Sequence, residues 1–396
     1  MLPTARSTPA SPAYRLLALC ARAECDTAQY TAIAQAAADL TAWDAIPAQA
    51  EAHGLAPLVY RHTVAASISL ALPVKRELQG LSVRHRLANQ VRTRILQDIL
   101  TRCRSASIRV IVLKGAALSH LIYPEPGLRP MRDLDLLVAK SDLFPAQRLL
   151  GEMGFCAPLV PAGQNPEHRH LSAATKSVEG FIVGVEVHQN LFEPGASSIL
   201  MGINELTSAP LTFALEPNGI TVDTLGYEDT MWYLCQHLIE STNVFSSVGL
   251  IWVADAVSFA ERFADKIDWQ RVHRQYPLVR STLSLLHFLT PLSDSLLARA
   301  GIELGRAPRG MWDDFRKSPR TSPEAQIDQG YARTLRDALF PSEWWMRLYY
   351  GVGSAPRLTA RHRAQHLAYL VRRFVHVMRR RSRNRGSSIS VQTLET

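Results

Sequence analysis

Two aspartates, Asp133 and Asp135, stand two residues apart in the apolar run Leu134, Leu136, Leu137 and Val138. In a β-strand, side chains at i and i+2 point to one side, with Cα atoms roughly 6.5–7 Å apart. Both carboxylates would then project from one face and share hard divalent cations. Burying such a pair is costly unless positive charge sits against it, so a metal site is the natural reading. Upstream, Lys114, Gly115 and Ala116 follow the apolar run Val110–Leu113. A glycine there lets the backbone approach a ligand closely, and a helix opening at that turn points unpaired N–H groups at an anion. Magnesium prefers oxygen ligands and commonly shares them with substrate phosphates. Between turn and acids lies PEPGLRP, with Arg129 and then Arg132. Arg129 has two readings, a phosphate contact or an ion pair with Asp133 or Asp135 that fixes the loop. Lys114 likewise reads as a phosphate contact or as a strand-end charge facing water.

The elements that must position these groups change in texture along the chain. Up to about Ser105 the signals are helical: an alanine-rich stretch around Ala34, then RHRLANQVRTRILQDILTRC with apolar positions at three- and four-residue intervals. Asp44 to Leu58 reads as a short capped helix and loop. IRVIVL from Ile108 is β-branched, as strands are. GAALSHLIY reads as a helix, RDLDLLV as a strand, and SDLFPAQRLLGEMGF as a helix opened by Ser141. FIVGVEVHQNLF is a further strand, paired with LSAATKSV through a turn at Glu179-Gly180. After Thr224 the pattern is helical again, with YEDTMWYLCQHLIE, VGLIWVADAVSFAERF and TLSLLHFLTPLSDSLLARA as amphipathic segments.

The ordered set KGAAL (Lys114–Leu118), YPEPGLRPMRDLDLLV (Tyr123–Val138) and EVH (Glu186–His188) resembles the nucleotidyltransferase superfamily. That superfamily includes DNA polymerase β, the kanamycin-type aminoglycoside nucleotidyltransferases and the AbiEii-type toxins. The chain looks most like the bacterial group labelled "uncharacterised nucleotidyltransferase". The resemblance implies an α+β fold, with a small mixed sheet and helical regions at both ends. It implies Asp133, Asp135 and Glu186 as ligands of Mg²⁺ or Mn²⁺, with Glu186 as third ligand or base. Gly115 and Ala116 take the place of the phosphate turn, although Ala116 lacks the hydroxyl that relatives carry; Lys114, Arg129 and Arg132 would neutralise phosphate charge. His188 reads as a structural neighbour more than as a ligand. The implied substrates are an NTP, taken as ATP, and an acceptor hydroxyl on a small molecule, sugar, peptide, protein or RNA end, with pyrophosphate released. A phosphotransferase on the same metals and a non-catalytic interaction protein are the competing readings. In the helical C-terminal half His237, Trp252 and Asp255 fall where acceptor-pocket residues are expected, or in the core. An acid at Asp255 in an apolar helix needs a partner. The aromatics of LFPSEWWMRLYYG read as a docking surface.

Length and composition agree. The 396 residues suffice for several folding units, divided as helical 1–105, catalytic 106–224, helical 225–356, and a basic helix with a disordered tail over 357–396. No uninterrupted apolar run is long enough to span a bilayer, and Arg15 and Arg22 interrupt the N-terminal apolar patch, against a signal peptide. The five cysteines are scattered and lack metal spacing, which fits a reducing, cytoplasmic setting. The net charge is +9. From Arg357 onward there are ten arginines and one acid, Glu395, so the preceding residues sum to zero. The basic end reads either as a solvated helix face or as a contact for an anionic partner.

Overall fold

The computed structural model describes residues 11–160, 168–193, 201–216, 219–242, 248–314, 335–336, 338–355 and 357–371. The densest part of the basic end, after residue 371, lies outside them. The architecture is α+β, as expected.

Helices α1 (Pro12–Leu19), α2 (Thr27–Ala38), α3 (Ile46–Ala52) and α4 (Ala56–Ala65) lead into α5 (Leu72–Ser105). Asp26 and Gln29 form a reciprocal capping box on α2, each bond 2.8 Å. The expected cap near Asp44 is absent, because the N-cap of α3 is Ala45, which makes no side-chain bond. Pro73 opens α5, where its missing N–H costs nothing. At 34 residues α5 runs about 50 Å, and it spans two hydrophobic cores. Its first turns place Val74 and Leu78 in one core, while Val91, Ile95, Leu96, Ile99, Leu100 and Cys103 enter the other.

The second core lies under a four-stranded sheet. Strand β1 (Ile111–Leu113) passes directly into helix α6 (Lys114–Leu121). Next come β2 (Asp133–Leu137), α7 (Leu143–Glu152), β3 (Ala174–Val178) and β4 (Phe181–His188). The strand order is β1-β2-β4-β3. β2 is antiparallel to β1 and parallel to β4, and β3 is antiparallel to β4, so the sheet is mixed. The β3–β4 turn falls at Glu179 (φ 50°) and Gly180 (φ 80°), the pair of left-handed residues that a tight hairpin requires. Ser141 does not cap α7; a 3₁₀ turn over Lys140–Asp142 precedes the helix.

Alternation divides the sheet's two faces. Val112, Leu134, Leu136, Val183, Val185 and Val187 enter the core shared with α5 and α7. Ile111, Leu113 and Leu137 enter the other core, with the helices that follow. Asp133, Asp135 and Glu186 share this second face by register. A one-residue slip would turn all three acids into the α5 side.

A two-stranded sheet, β5 (Leu211–Leu215) and β6 (Ile220–Thr224), was not anticipated. It is tied to β1 where Thr224 Oγ1 donates to the Val112 carbonyl at 2.6 Å. Helices α8 (Tyr227–Ser241), α9 (Leu250–Arg262), α10 (Trp269–Gln275), α11 (Leu278–Leu286), α12 (Asp294–Arg299) and α13 (Met311–Asp314) follow. α8 is buried on nearly all sides and is the central post of this region. The segment read as one helix from Thr282 to Ala300 is broken between α11 and α12: Pro291 supplies no N–H, and Ser293 caps the new start through the Leu296 amide. The Glu343–Tyr349 helix buries Trp344 completely in the core of α8 and α11. Trp345, Tyr349 and Tyr350 dock a helix over residues 360–371 through His366 and Tyr369. The docking surface read from these aromatics therefore serves this chain's own packing. Among the described residues no helix is long and apolar enough to cross a membrane.

Candidate active site

The site face of the sheet is built by two neighbouring parallel strands. Asp135 of β2 lies opposite Glu186 of β4, and Asp133 lies opposite Gly184. The glycine places no side chain beside Asp133. On the other flank Leu113 of β1 faces Asp135, and the chain turns at once into α6 through Lys114, whose φ is 47°. That left-handed conformation costs a non-glycine residue roughly 1–2 kcal/mol, and it carries the side chain back over the sheet. Lys114 Nζ donates to Asp135 Oδ1 at 2.5 Å, so its charge is paired rather than turned to water.

Asp135 is 2 % exposed and also accepts from His188 Nε2 at 2.9 Å. Burial acts to raise its pKa, but the Lys114 ammonium and the His188 bond overcome this and hold it well below the carboxylate range. Lys114 is the mirror case: burial lowers its pKa, and Asp135 outweighs that and raises it. Glu186 Oε2 lies 3.4 Å from His188 Nε2 and 3.8 Å from His170 Nε2. Its pKa is lowered, the His188 bond overcoming burial. Asp133 is different. It is half-buried and makes no hydrogen bond or ion pair among the described residues. Burial, and then the Asp135 charge, raise its pKa.

Ligand atoms of Asp135, Glu186 and His188 lie within 4.8 Å of one another. The structure thus brings His188 into the acid cluster and leaves Asp133 at its open edge. His170, fixed by a 2.8 Å bond between Nδ1 and the Leu171 carbonyl, meets the His188 ring at a 45° tilt with 4.8 Å between centroids. Burial and the neighbouring His188 push its pKa down to about 4.

The arginines of the PGLRPM loop go elsewhere. Arg129 pairs with neither Asp133 nor Asp135; it grips Asp255 of α9, with Nε–Oδ1 at 3.2 Å and Nη2–Oδ2 at 2.7 Å. Tyr123 Oη donates to the same carboxylate at 2.7 Å. This is the partner the buried Asp255 needed. It also explains Gly115: a Cβ there would overlap the Arg129 guanidinium and lie 3.0 Å from Met131 Cγ. Ala116, one residue on, is buried in the α5-side core. Arg132 is exposed, with Glu51 in its field.

Tyr233 and His237 of α8 lie within electrostatic reach of the acids. Tyr233 is 2 % exposed, and its hydroxyl has no hydrogen-bond partner among the described residues. Burial raises its pKa, and Lys114, Asp135, Arg169 and Glu186 all act on it. His237, one turn on, is lowered by burial and feels Lys114, Arg169 and Asp135; its ring meets Trp252 edge-on at 5.4 Å. Sequence reasoning missed Tyr233, although its i, i+4 spacing with His237 places both on one side of a helix. It also missed Arg92 of α5, a charge lodged in a buried stripe between Ala88 and Leu96.

Residues 39–292 match the family model described as uncharacterised nucleotidyltransferase. The chain belongs to this family. The match takes in α3 to α11, and therefore every residue of the site above. Membership makes the chain an enzyme of the nucleotidyltransferase kind. No curated protein and no solved structure gives a match.

Proposed function

We propose that this nucleotidyltransferase transfers a nucleoside monophosphate from an NTP, with ATP as the first candidate, to an acceptor hydroxyl and releases pyrophosphate. The observation that carries the reading is the carboxylate face itself. Asp133, Asp135 and Glu186 project together from two adjacent parallel strands, and Asp133 has no partner of its own among the described residues. The kinship with DNA polymerase β-like, AbiEii-type and aminoglycoside nucleotidyltransferases belongs to the same proposal.

The donor set fits a divalent cation, Mg²⁺ or Mn²⁺. Asp135 and Glu186 would hold it, with Asp133 at the open edge and the His188 nitrogen within the same cluster. When bound, such an ion supplies positive charge against the triphosphate and the leaving pyrophosphate. In this reading Lys114 keeps Asp135 ionised and fixed. The α6 N-terminus at Gly115 and Ala116 faces phosphate. Arg129 serves by holding that turn, and Arg132 supplies charge at the rim. Glu186, with His188 against it, is the group placed to accept the acceptor's proton. Tyr233 and His237 lie on the side proposed for the acceptor.

The test uses ATP labelled separately at the α- and γ-phosphates, with Mg²⁺ or Mn²⁺ and a cell lysate as acceptor pool. Asp133→Asn protein is the control. Acid-dependent α-label in a product is the expected result. Acid-dependent γ-label would instead make the chain a phosphotransferase, and no label with any nucleotide would favour an interaction role.

A further inference from the structure

His170 and His188 oppose each other as an antiparallel bridge outside the named strands, so both rings project from one face of the sheet. Leu171, the next residue, turns to the opposite side and enters the core shared with α5 and α7. The Leu171 amide donates to the Val187 carbonyl at 3.1 Å, and the Gln189 amide to the Arg169 carbonyl at 2.8 Å. Residues 169–171 are thus laid against the end of β4, and the acid face is extended by one side chain. It runs from Asp133 and Asp135 through Glu186 and His188 to His170.

His170 is 8 % exposed, and only one of its nitrogens is used. Nδ1 lies 2.8 Å from the Leu171 carbonyl. A carbonyl can only accept, so Nδ1 carries the hydrogen, and in the neutral ring the lone pair is on Nε2. Nε2 makes no hydrogen bond among the described residues and faces Glu186 Oε2 at 3.8 Å. An imidazolium donating to that carboxylate would close to about 2.8 Å, so no such bond is made. Other buried histidines engage both nitrogens. His366 meets the Ala338 carbonyl at 2.7 Å and the Tyr350 hydroxyl at 3.2 Å, and His62 meets the Arg22 carbonyl at 2.8 Å and Cys25 Sγ at 3.6 Å. A lone pair aimed at a carboxylate oxygen is repelled unless a cation lies between them. A ring held by its N–H on a backbone carbonyl, with the other nitrogen bare beside an acid, has the form of a metal-binding imidazole. The segment behind it is fixed as well. His168 packs edge-on to His170 at 4.8 Å between centroids, with its Nε2 2.9 Å from Glu193 Oε1, and Gln189 Nε2 donates to the His168 carbonyl at 2.7 Å.

We infer that His170 Nε2 is a ligand of the divalent ion held at Glu186, and that the site therefore prefers a first-row transition ion to Mg²⁺. Imidazole nitrogen suits such ions, whereas Mg²⁺ keeps to oxygen ligands and water. The inference rests on the metal-dependent reading above and names the class of its ion.

The test is titration of the chelator-treated full chain with MnCl₂ and with MgCl₂, followed by pulsed EPR of the Mn²⁺-loaded protein. Wild type, His170→Asn and His170→Gln are compared. Asparagine keeps a donor near the position of Nδ1 and removes Nε2, and glutamine is the second variant should the first not fold. Wild type should bind Mn²⁺ at least about 10-fold tighter than Mg²⁺ and show nitrogen couplings from a coordinated imidazole. His170→Asn should lose roughly 10- to 100-fold in Mn²⁺ affinity, keep its Mg²⁺ affinity, and lose nitrogen coupling. A wild-type spectrum without nitrogen coupling, which needs no variant, would overturn this inference alone. So would coupling that persists unchanged in both variants, or an equal loss of Mn²⁺ and Mg²⁺ affinity, which would mark His170 as only positioning Glu186. A wild type that binds neither ion would overturn the metal-dependent reading together with it.

Discussion

Replacing Asp255 by leucine tests whether the helical region holds the active-site loop. Asp255 is 1 % exposed and accepts three bonds, from Tyr123 Oη at 2.7 Å and from Arg129 at 3.2 and 2.7 Å. Without it, the buried Arg129 guanidinium keeps a single bond, Nη1 to the Pro130 carbonyl at 3.1 Å. Removing one member of a buried pair costs roughly 3–5 kcal/mol, and the orphaned Tyr123 hydroxyl adds about 1 kcal/mol or more. The sum is a large share of the 5–15 kcal/mol typical of a domain. The double variant Asp255→Leu/Arg129→Met removes both charges and should lose no more than about 2 kcal/mol, because apolar replacement of a whole pair is often close to neutral. Urea melts of the wild type, both singles and the double give the coupling energy, expected to be about 5 kcal/mol or more because each single orphans a buried partner and the double does not. A second arm uses Gly115→Ala, which should be severe in the wild type and milder in the Arg129→Met background, where the guanidinium is gone. A loss below 1 kcal/mol in Asp255→Leu, or additive singles, would refute the clamp.

Asp133 and Asp135 should separate stability from activity. Asp133→Asn is expected to abolish metal-dependent transfer while leaving the melting midpoint unchanged or raised, since it removes a partnerless charge that Asp135 repels. Asp135→Asn should instead cost roughly 3–5 kcal/mol, measured by urea melts, because Lys114 would be left buried and unpaired. Acid should weaken the fold through His53 and His62, which burial pushes down to about 4. An unfolded histidine titrates near 6.5, so below that pH the unfolded chain takes up protons the folded chain refuses. Stability is then full above about 6.5 and falls by roughly 1.4 kcal/mol per pH unit for each histidine until about pH 4. Urea melts between pH 7 and 4.5 would show the slope, to which His120, His170 and His237 contribute in the same direction, and His62→Gln should reduce it by one histidine's share, roughly 1.4 kcal/mol per pH unit.

What the sequence revealed depends on how local each cause is. The acid-bearing strand β2, the β3–β4 hairpin and its Glu179-Gly180 turn were legible because alternation and turn chemistry are written within a few residues. The β5–β6 hairpin carried the same marks, LTFAL and ITVDT around E-P-N-G, and was overlooked between two stronger motifs. The break between α11 and α12 was signalled by Pro291 and Ser293. His188 follows Glu186 by two residues on a strand, so its place on the acid face was available from spacing alone. Pairing at a distance was not. Asp255 announced a need for a partner, but Arg129 lies 126 residues away, and no local pattern joins them. Arg92 shows as an anomaly in a helical stripe.

Most of the motif is thereby accounted for by scaffolding. Gly115 makes room for Arg129, Arg129 and Tyr123 lock onto Asp255, and Lys114 pins Asp135. Few charges are left free to act. At the carboxylate face three acids, Asp133, Asp135 and Glu186, are opposed by one cation, Lys114, because Arg129 is already neutralised by Asp255. The face therefore carries two surplus negative charges in a site of low effective dielectric, where such charge is expensive to maintain. On the proposed function, a divalent cation would neutralise that surplus, and the metal would bind first because it removes the charge that repels a triphosphate.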